Sequence, residues 1–148
     1  MADWDVKKDE IMMFIDTSKC IACKACQVAC KQWHSLAAEE TTFTGSYTNP
    51  PDYSGNTLTF VKFSEFERRG RVNFLFFKHQ CKHCVRPKCQ PACPQGVERT
   101  REGFVVFNEE CTPENVRYDI EEACPWHVPK FNNLLGQVWR KLHDLQGW

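Results

Sequence analysis

Apolar positions along the chain come in short runs. Residues 11–16 (IMMFID), 59–63 (TFVKF), 72–77 (VNFLFF) and 103–107 (GFVVF) are compact apolar stretches bounded by polar residues, and each predicts a strand. Residues 26–38 are rich in helix formers and poor in breakers, which predicts a helix. Residues 65–71 predict a polar turn between the second and third strands. Residues 41–58 are punctuated by Gly45, Asn49-Pro50-Pro51-Asp52 and Gly55-Asn56, so they predict an irregular segment lying over the surface. Towards the C-terminus, Phe131, Leu134, Leu135, Val138, Trp139, Leu142 and Leu145 recur at helical spacing. They predict an amphipathic helix, weakened by Gly136, that packs on its own domain or docks a partner subunit. Short strands mixed with short helices define an α+β class.

Composition narrows the possibilities. The 148 residues suit one domain, or two small lobes sharing a core, and can bury a core without disulfide staples. Hydrophobic residues at 42% and charged residues at 26% exclude wholesale disorder. Nineteen Lys and Arg balance nineteen Asp and Glu, which argues against a nucleic-acid binder held by a global basic field. No apolar run reaches membrane-spanning length, so no direct membrane span is expected. The opening MADWDVKKDE has neither a twin-arginine pair nor an apolar signal core, which leads us to expect a cytoplasmic protein.

The ten cysteines change the picture most. Eight fall in two tight runs, Cys20, Cys23, Cys26 and Cys30, then Cys81, Cys84, Cys89 and Cys93; Cys111 and Cys124 follow singly. Disulfide frameworks spread their partners to close loops, whereas these thiols crowd around one multivalent object. The first run, C-x2-C-x2-C-x3-C, has the spacing of a bacterial-type [4Fe–4S] motif. A cubane cluster offers four iron corners, and three closely spaced thiolates on a turn wrap three of them. The fourth must come from elsewhere in the chain, which accounts for the offset of the last cysteine. Pro94 and Pro125, each directly after a cysteine, fit the same pattern.

Two other readings of the thiols stay open: a zinc-stabilised interaction module built from the CxxC pairs, and a redox-active thiol pair. Lys82, His83 and Lys88 lie in a basic stretch that would offset thiolate charge and raise a cluster's potential, although solvated faces pairing with the acidic stretch 109–122 explain the same charges. Trp33, Phe76, Phe77 and Trp126 are candidates to exclude water from a cluster. No Gly-rich phosphate loop or catalytic triad stands out, so no catalytic residue is assigned. The duplicated plan of strand, Cys loop and Cys-ended turn predicts a ferredoxin-like core. The expected layout is a single domain over 1–148, with a first Cys lobe at 11–38, an insertion at 39–71, a second Cys lobe at 72–130 and the C-terminal helix at 131–148.

The stretch CIACKACQVACKQWHSLAAEETTFTGSYTNPPDYS resembles the iron–sulfur (beta) subunit of molybdenum- or tungsten-dependent formate dehydrogenases, and FLFFKHQCKHCVRPKC and VRYDIEEACPWHVPKF continue the resemblance over residues 12–131. It implies a polyferredoxin-like fold docked on a large molybdopterin or tungstopterin catalytic subunit, the formate dehydrogenase alpha subunit, with a further electron-acceptor subunit as a second partner. The chain would then be a non-catalytic relay within an oxidoreductase complex, and its relatives' co-export with a signal-bearing partner makes the periplasm the alternative compartment. A related molybdopterin or tungsten oxidoreductase, or a hydrogenase, is the alternative complex. Residue by residue, the resemblance makes Cys81, Cys84, Cys89 and Cys124 the ligands of one cluster. It makes Cys20, Cys23 and Cys26 three ligands of a second, and Cys30 a donor to a third. Longer relatives carry a further Cys-rich run after the segment matching 124–131, and none follows here. The second site therefore needs a fourth ligand, for which Cys30, Cys93, Cys111 and a residue of another subunit are the candidates.

Overall fold

The computed structural model describes residues 9–132 and 137–138. The chain divides into two units, Phe14–Cys81 and Met1–Met13 with Lys82–Trp148.

In the first unit, Asp16 caps a 3₁₀ turn over Thr17–Lys19, its carboxylate accepting the Ser18 N–H at 3.0 Å. The first Cys loop follows and leads into helix α1, Ala25–Trp33. This helix is shorter than the predicted 26–38. Its end is closed by Ser35 at φ 51°, with Ser35 N–H donating to Gln32 O at 3.2 Å and Leu36 N–H to Lys31 O at 2.9 Å. Those two bonds are a Schellman cap, which satisfies the last carbonyls and turns the chain away. Strands β1, Phe60–Arg68, and β2, Arg71–His79, form an antiparallel hairpin. The predicted polar turn shrinks to Arg69 and Gly70, both at positive φ (55° and 69°), the geometry that matches strand twist in a tight hairpin. Only the root of the hairpin is covered: Phe60 and Val61 are buried, while Phe66, Val72, Phe74 and Leu75 near the tip are exposed.

Polar side chains tie the loop 34–59 to this frame. Gln27, buried on α1, donates from Nε2 to Asn49 O at 2.9 Å and accepts the Val61 N–H on Oε1 at 3.2 Å. Lys31 donates to Asn56 O at 2.6 Å and pairs with Glu39 at 3.1 Å, and Glu39 also accepts from the hydroxyls of Ser54 and Thr57. Burial raises the Glu39 carboxyl, but the Ser54, Thr57 and Lys31 contacts outweigh it and hold the group below its ordinary value. His79 is buried in an aromatic cluster with Tyr53, Phe60 and Phe77, its Nδ1 hydrogen-bonded to the Tyr53 hydroxyl.

In the second unit, β3, Val97–Arg99, and β4, Val105–Phe107, which contains most of the predicted 103–107 strand, form an antiparallel hairpin. Its core is Ala92, Cys93, Val97, Val105, Val106, Cys111, Ile120 and Val128. A one-turn helix, α2, spans Ile120–Ala123, with Asp119 accepting the Glu121 and Glu122 N–H groups as its N-cap. Arg99 and Glu10 make a bidentate pair at 2.5 and 2.6 Å with only 8% of either side chain exposed.

Two predicted elements differ. Residues 11–16 form no strand: Ile11 N–H donates to Glu102 O at 2.9 Å, and Ile11, Met12 and Phe14 are exposed, since no partner strand lies beside them among the described residues. Instead of a helix from 131, Phe131–Asn132 (β5) and Gln137–Val138 (β6) pair antiparallel. Asn132, Asn133 and Gly136 are turn formers that interrupt helical spacing. The rest of the expected helix, with Leu134, Leu135, Trp139, Leu142 and Leu145, lies outside the described residues. No described helix is long and apolar enough to cross a membrane.

Replacing Glu10 by Ala leaves the Arg99 guanidinium buried and unpaired, so Glu10→Ala is expected to lower unfolding stability by about 3–5 kcal/mol, read by denaturant titration. Glu39 should make stability acid-sensitive. Its depressed folded-state pKa gives stabilisation that is present above its ordinary value of 4.5 and is lost as pH falls through the lower folded value. Thermal unfolding from about pH 7 to about pH 3 should show this dependence weakened in Glu39→Gln.

Candidate iron–sulfur site

The first Cys loop is shaped by backbone conformation. Ala22 and Lys24 adopt left-handed φ of 57° and 60°, between Cys20, Cys23 and Cys26. Alternating right- and left-handed residues turn successive N–H groups to one side, forming the concave nests found at phosphate and iron–sulfur sites. The Gln27 N–H donates to Lys24 O at 3.0 Å, which fastens the loop to the start of α1. Burial raises the Cys26 thiol, Lys78 opposes it, and nearby Cys20 adds to the rise; the net direction is up. Lys78, on β2, is thus the cation facing this loop. Cys26 and Cys30 both lie on α1, one turn apart, and Cys23 is exposed. Cys81 is the last residue of this unit, just beyond β2.

In the second unit, His83 takes the equivalent left-handed role at φ 46°, directly before Cys84. Burial raises the Cys84 thiol, the nearby Cys124 raises it further, and the Cys84 N–H lowers it, again with a net rise. The charge of Cys124 thus acts on Cys84, forty residues away in sequence. Cys124 follows α2 and accepts the His127 N–H on its carbonyl at 2.9 Å.

A second thiol group is buried deeper. Cys89, Cys93 and Cys111 are 8%, 0% and 1% exposed. Burial drives the Cys111 thiol far above the usual range, and a hydrogen bond with the Cys93 side chain and the charges of Cys93 and Cys89 add to this. Gly96 makes the arrangement possible: a Cβ there would stand 2.4 Å from Cys111 Cβ and 2.5 Å from its nitrogen. The turn is closed by Gly96 N–H to Cys93 O at 3.2 Å and Asn108 N–H to Gly96 O at 2.9 Å.

Some expected contributors are occupied elsewhere. His83 Nδ1 accepts the Val105 N–H at 3.1 Å, Lys82 sits 5.4 Å over the Trp126 ring, and Lys88 is exposed. Trp33 and Trp126 are half-exposed. The missed contributors are Lys78, legible only once β2 is paired, and the left-handed Ala22, Lys24 and His83, whose residue types carry no turn signal.

Among the described residues no three or more His, Cys, Asp or Glu side chains close on a single metal position; the ten cysteines, none in a disulfide, are by chemistry a soft thiolate donor set of the kind that suits [4Fe–4S] clusters. Family comparison agrees. Models of the 4Fe-4S dicluster domain match residues 19–97 and 72–141, and the chain belongs to that family, with [4Fe–4S] clusters as its cofactor. Among individual relatives, it is 38% identical over 122 residues to the formate dehydrogenase subunit beta of Megalodesulfovibrio gigas, covering 79% of this chain and 57% of that protein. It is 38% identical over 127 residues to the formate dehydrogenase 2 subunit beta (cytochrome c-553) of Nitratidesulfovibrio vulgaris, covering 80% and 58%. It is 38% identical over 136 residues to the nitrate-inducible formate dehydrogenase iron-sulfur subunit of Escherichia coli, covering 90% and 45%. The chain thus spans about half the length of these relatives.

Gly96→Ala forces a methyl group into the Cys111 backbone, where neither partner can yield, and is expected to cost at least about 1–3 kcal/mol of stability, measured by thermal or denaturant unfolding.

Proposed function

We propose that this chain is the electron-transfer subunit of a formate dehydrogenase, relaying electrons to or from a large molybdenum- or tungsten-pterin catalytic subunit. The observation that carries the reading is its similarity to formate dehydrogenase iron–sulfur subunits over 79–90% of its length. The aligned 90% of the chain is long enough to include the loop 41–58 as well as the cysteines; reading 39–71 as an insertion into a ferredoxin-like core is part of the proposal.

When bound, the clusters supply one-electron redox centres. The chain's own residues hold and tune them. Cys84, Cys89 and Cys124, with Cys81 completing the C-x2-C motif, are the proposed ligands of one cluster; the charge of Cys124 acting on Cys84 supports this set. Cys20, Cys23 and Cys26 hold a second, with Cys30, Cys93, Cys111 or a residue of another subunit as the candidates for the fourth ligand. Lys78, whose charge acts on Cys26, favours the more negatively charged reduced state and so raises the potential.

Anaerobic co-expression with the catalytic subunit tests the reading. Formate should bleach the visible absorption of the complex, and Cys84→Ser should remove one cluster's worth of iron. A complex that does not respond to formate but responds to another molybdopterin substrate would transfer the chain to a related oxidoreductase. Lys78→Met should lower the potential of the cluster bound by the first run, read by EPR-monitored redox titration; an unchanged potential would remove Lys78 from the account.

A further inference from the structure

Three polar side chains reach from the first Cys run and α1 to the backbone of the loop 41–58. Lys24 Nζ donates to Tyr47 O at 2.7 Å and sits 5.3 Å over the Phe63 ring. Gln27 Nε2 donates to Asn49 O at 2.9 Å, and Lys31 Nζ donates to Asn56 O at 2.6 Å. Gln27 and Lys31 are four residues apart and share one face of α1. Cys26 and Cys30, each one residue earlier, form the adjacent row. Of the three side chains, Gln27 also reaches β1: it is buried, and its Oε1 accepts the Val61 N–H at 3.2 Å. Val61 is itself buried and pairs with Lys78 in the hairpin register. One amide thus joins the loop and β1 to the residue that follows Cys26. A carboxylate could not donate to Asn49 O, and an ammonium could not accept from Val61.

We infer that Gln27 is a positioning residue for the first-run cluster: it pins the first turn of α1, and with it Cys26, against β1 at the point opposite Lys78. The inference rests on the proposed cluster at Cys20, Cys23 and Cys26 and on the proposed role of Lys78. Gln27 is no ligand and acts through its neighbour. Groups that orient a metal ligand control the centre nearly as strongly as the ligand itself. Without the amide, Asn49 O and the Val61 N–H lose the partner they have here, and a buried backbone group left unpaired drives the segment to rearrange. The first turn of α1 then separates from β1, and the cation on β2 acts on Cys26 from further away. The loop 41–58, which holds no cysteine, acquires a role in the same step: its carbonyls are the anchor points of the first Cys run.

The full chain is purified anaerobically with its clusters, and the potential of the first-run cluster is read by EPR-monitored redox titration. Four forms are compared: the unmodified chain, Gln27→Met, Lys78→Met and the double variant. Gln27→Met keeps the length of the side chain and removes both of its hydrogen bonds. It should lower the potential, and should lower it much less where Lys78 is already Met, because the two residues act on one contact. The cluster of the second run should keep its potential. An unchanged potential in Gln27→Met, or an equal shift with and without Lys78, would overturn the inference and leave Gln27 a packing residue. Gln27→Asn decides the matter if Gln27→Met binds no first-run cluster. It keeps both polar groups but is one methylene shorter, and it should shift the potential in the same direction by less; no shift overturns the inference. Failure of the underlying readings has different signatures. Lys78→Met without effect on the potential removes the role of Lys78 and this inference with it, and a chain without iron removes the cluster.

Discussion

Thiolates gathered around a small inorganic core concentrate negative charge, and a protein of 148 residues with ten cysteines must stabilise that charge without pairing the sulfurs to one another. The chain meets this constraint with its backbone. Left-handed residues stand inside both Cys loops, the backbone conformation from which N–H nests are built. Burial raises the thiols of Cys26, Cys84 and Cys111, so ionised thiolates there need the compensation that iron would supply. Cluster insertion and the final packing of these loops are therefore linked.

Around the first loop, the surrounding structure is held by polar clamps more than by a large apolar core. Gln27 joins α1 to the irregular segment and to β1 in one side chain, and Glu39 gathers Lys31, Ser54 and Thr57. Such contacts are directional and fix the position of α1, whose first turn carries Cys26. The second unit relies on a small aliphatic core and on the buried Arg99–Glu10 pair. The outer half of the β1–β2 hairpin, by contrast, leaves large apolar side chains in solvent.

The cysteine spacing made the cofactor legible, because cluster geometry dictates a local pattern that sequence displays directly. The hairpins were legible too: VNFLFF and GFVVF are short apolar runs with identifiable turns between them and their partners. The run at 11–16 misled, since a strand exists only with a partner and a single sequence does not reveal one. Helical spacing from Phe131 misled for a related reason, as Phe131–Asn132 pairs antiparallel with Gln137–Val138, a strand contact that an apolar stripe does not announce. Helix α1 ended early because Ser35 accepts a left-handed conformation that its residue type does not announce. Within the site, the charge effects of Cys124 on Cys84 and of Cys93 and Cys89 on Cys111 are tertiary and show nowhere in the spacing. The close packing of Gly96 on Cys111 is equally invisible in the sequence.

Everything functional in this account follows from thiolates holding iron and sulfide together. Quantitation of iron and acid-labile sulfide in the anaerobically purified full chain, with low-temperature EPR of the dithionite-reduced sample, tests that claim most directly. The account predicts a brown protein with equal amounts of iron and sulfide and EPR signals of reduced [4Fe–4S] clusters. A colourless protein carrying zinc and no sulfide would contradict it.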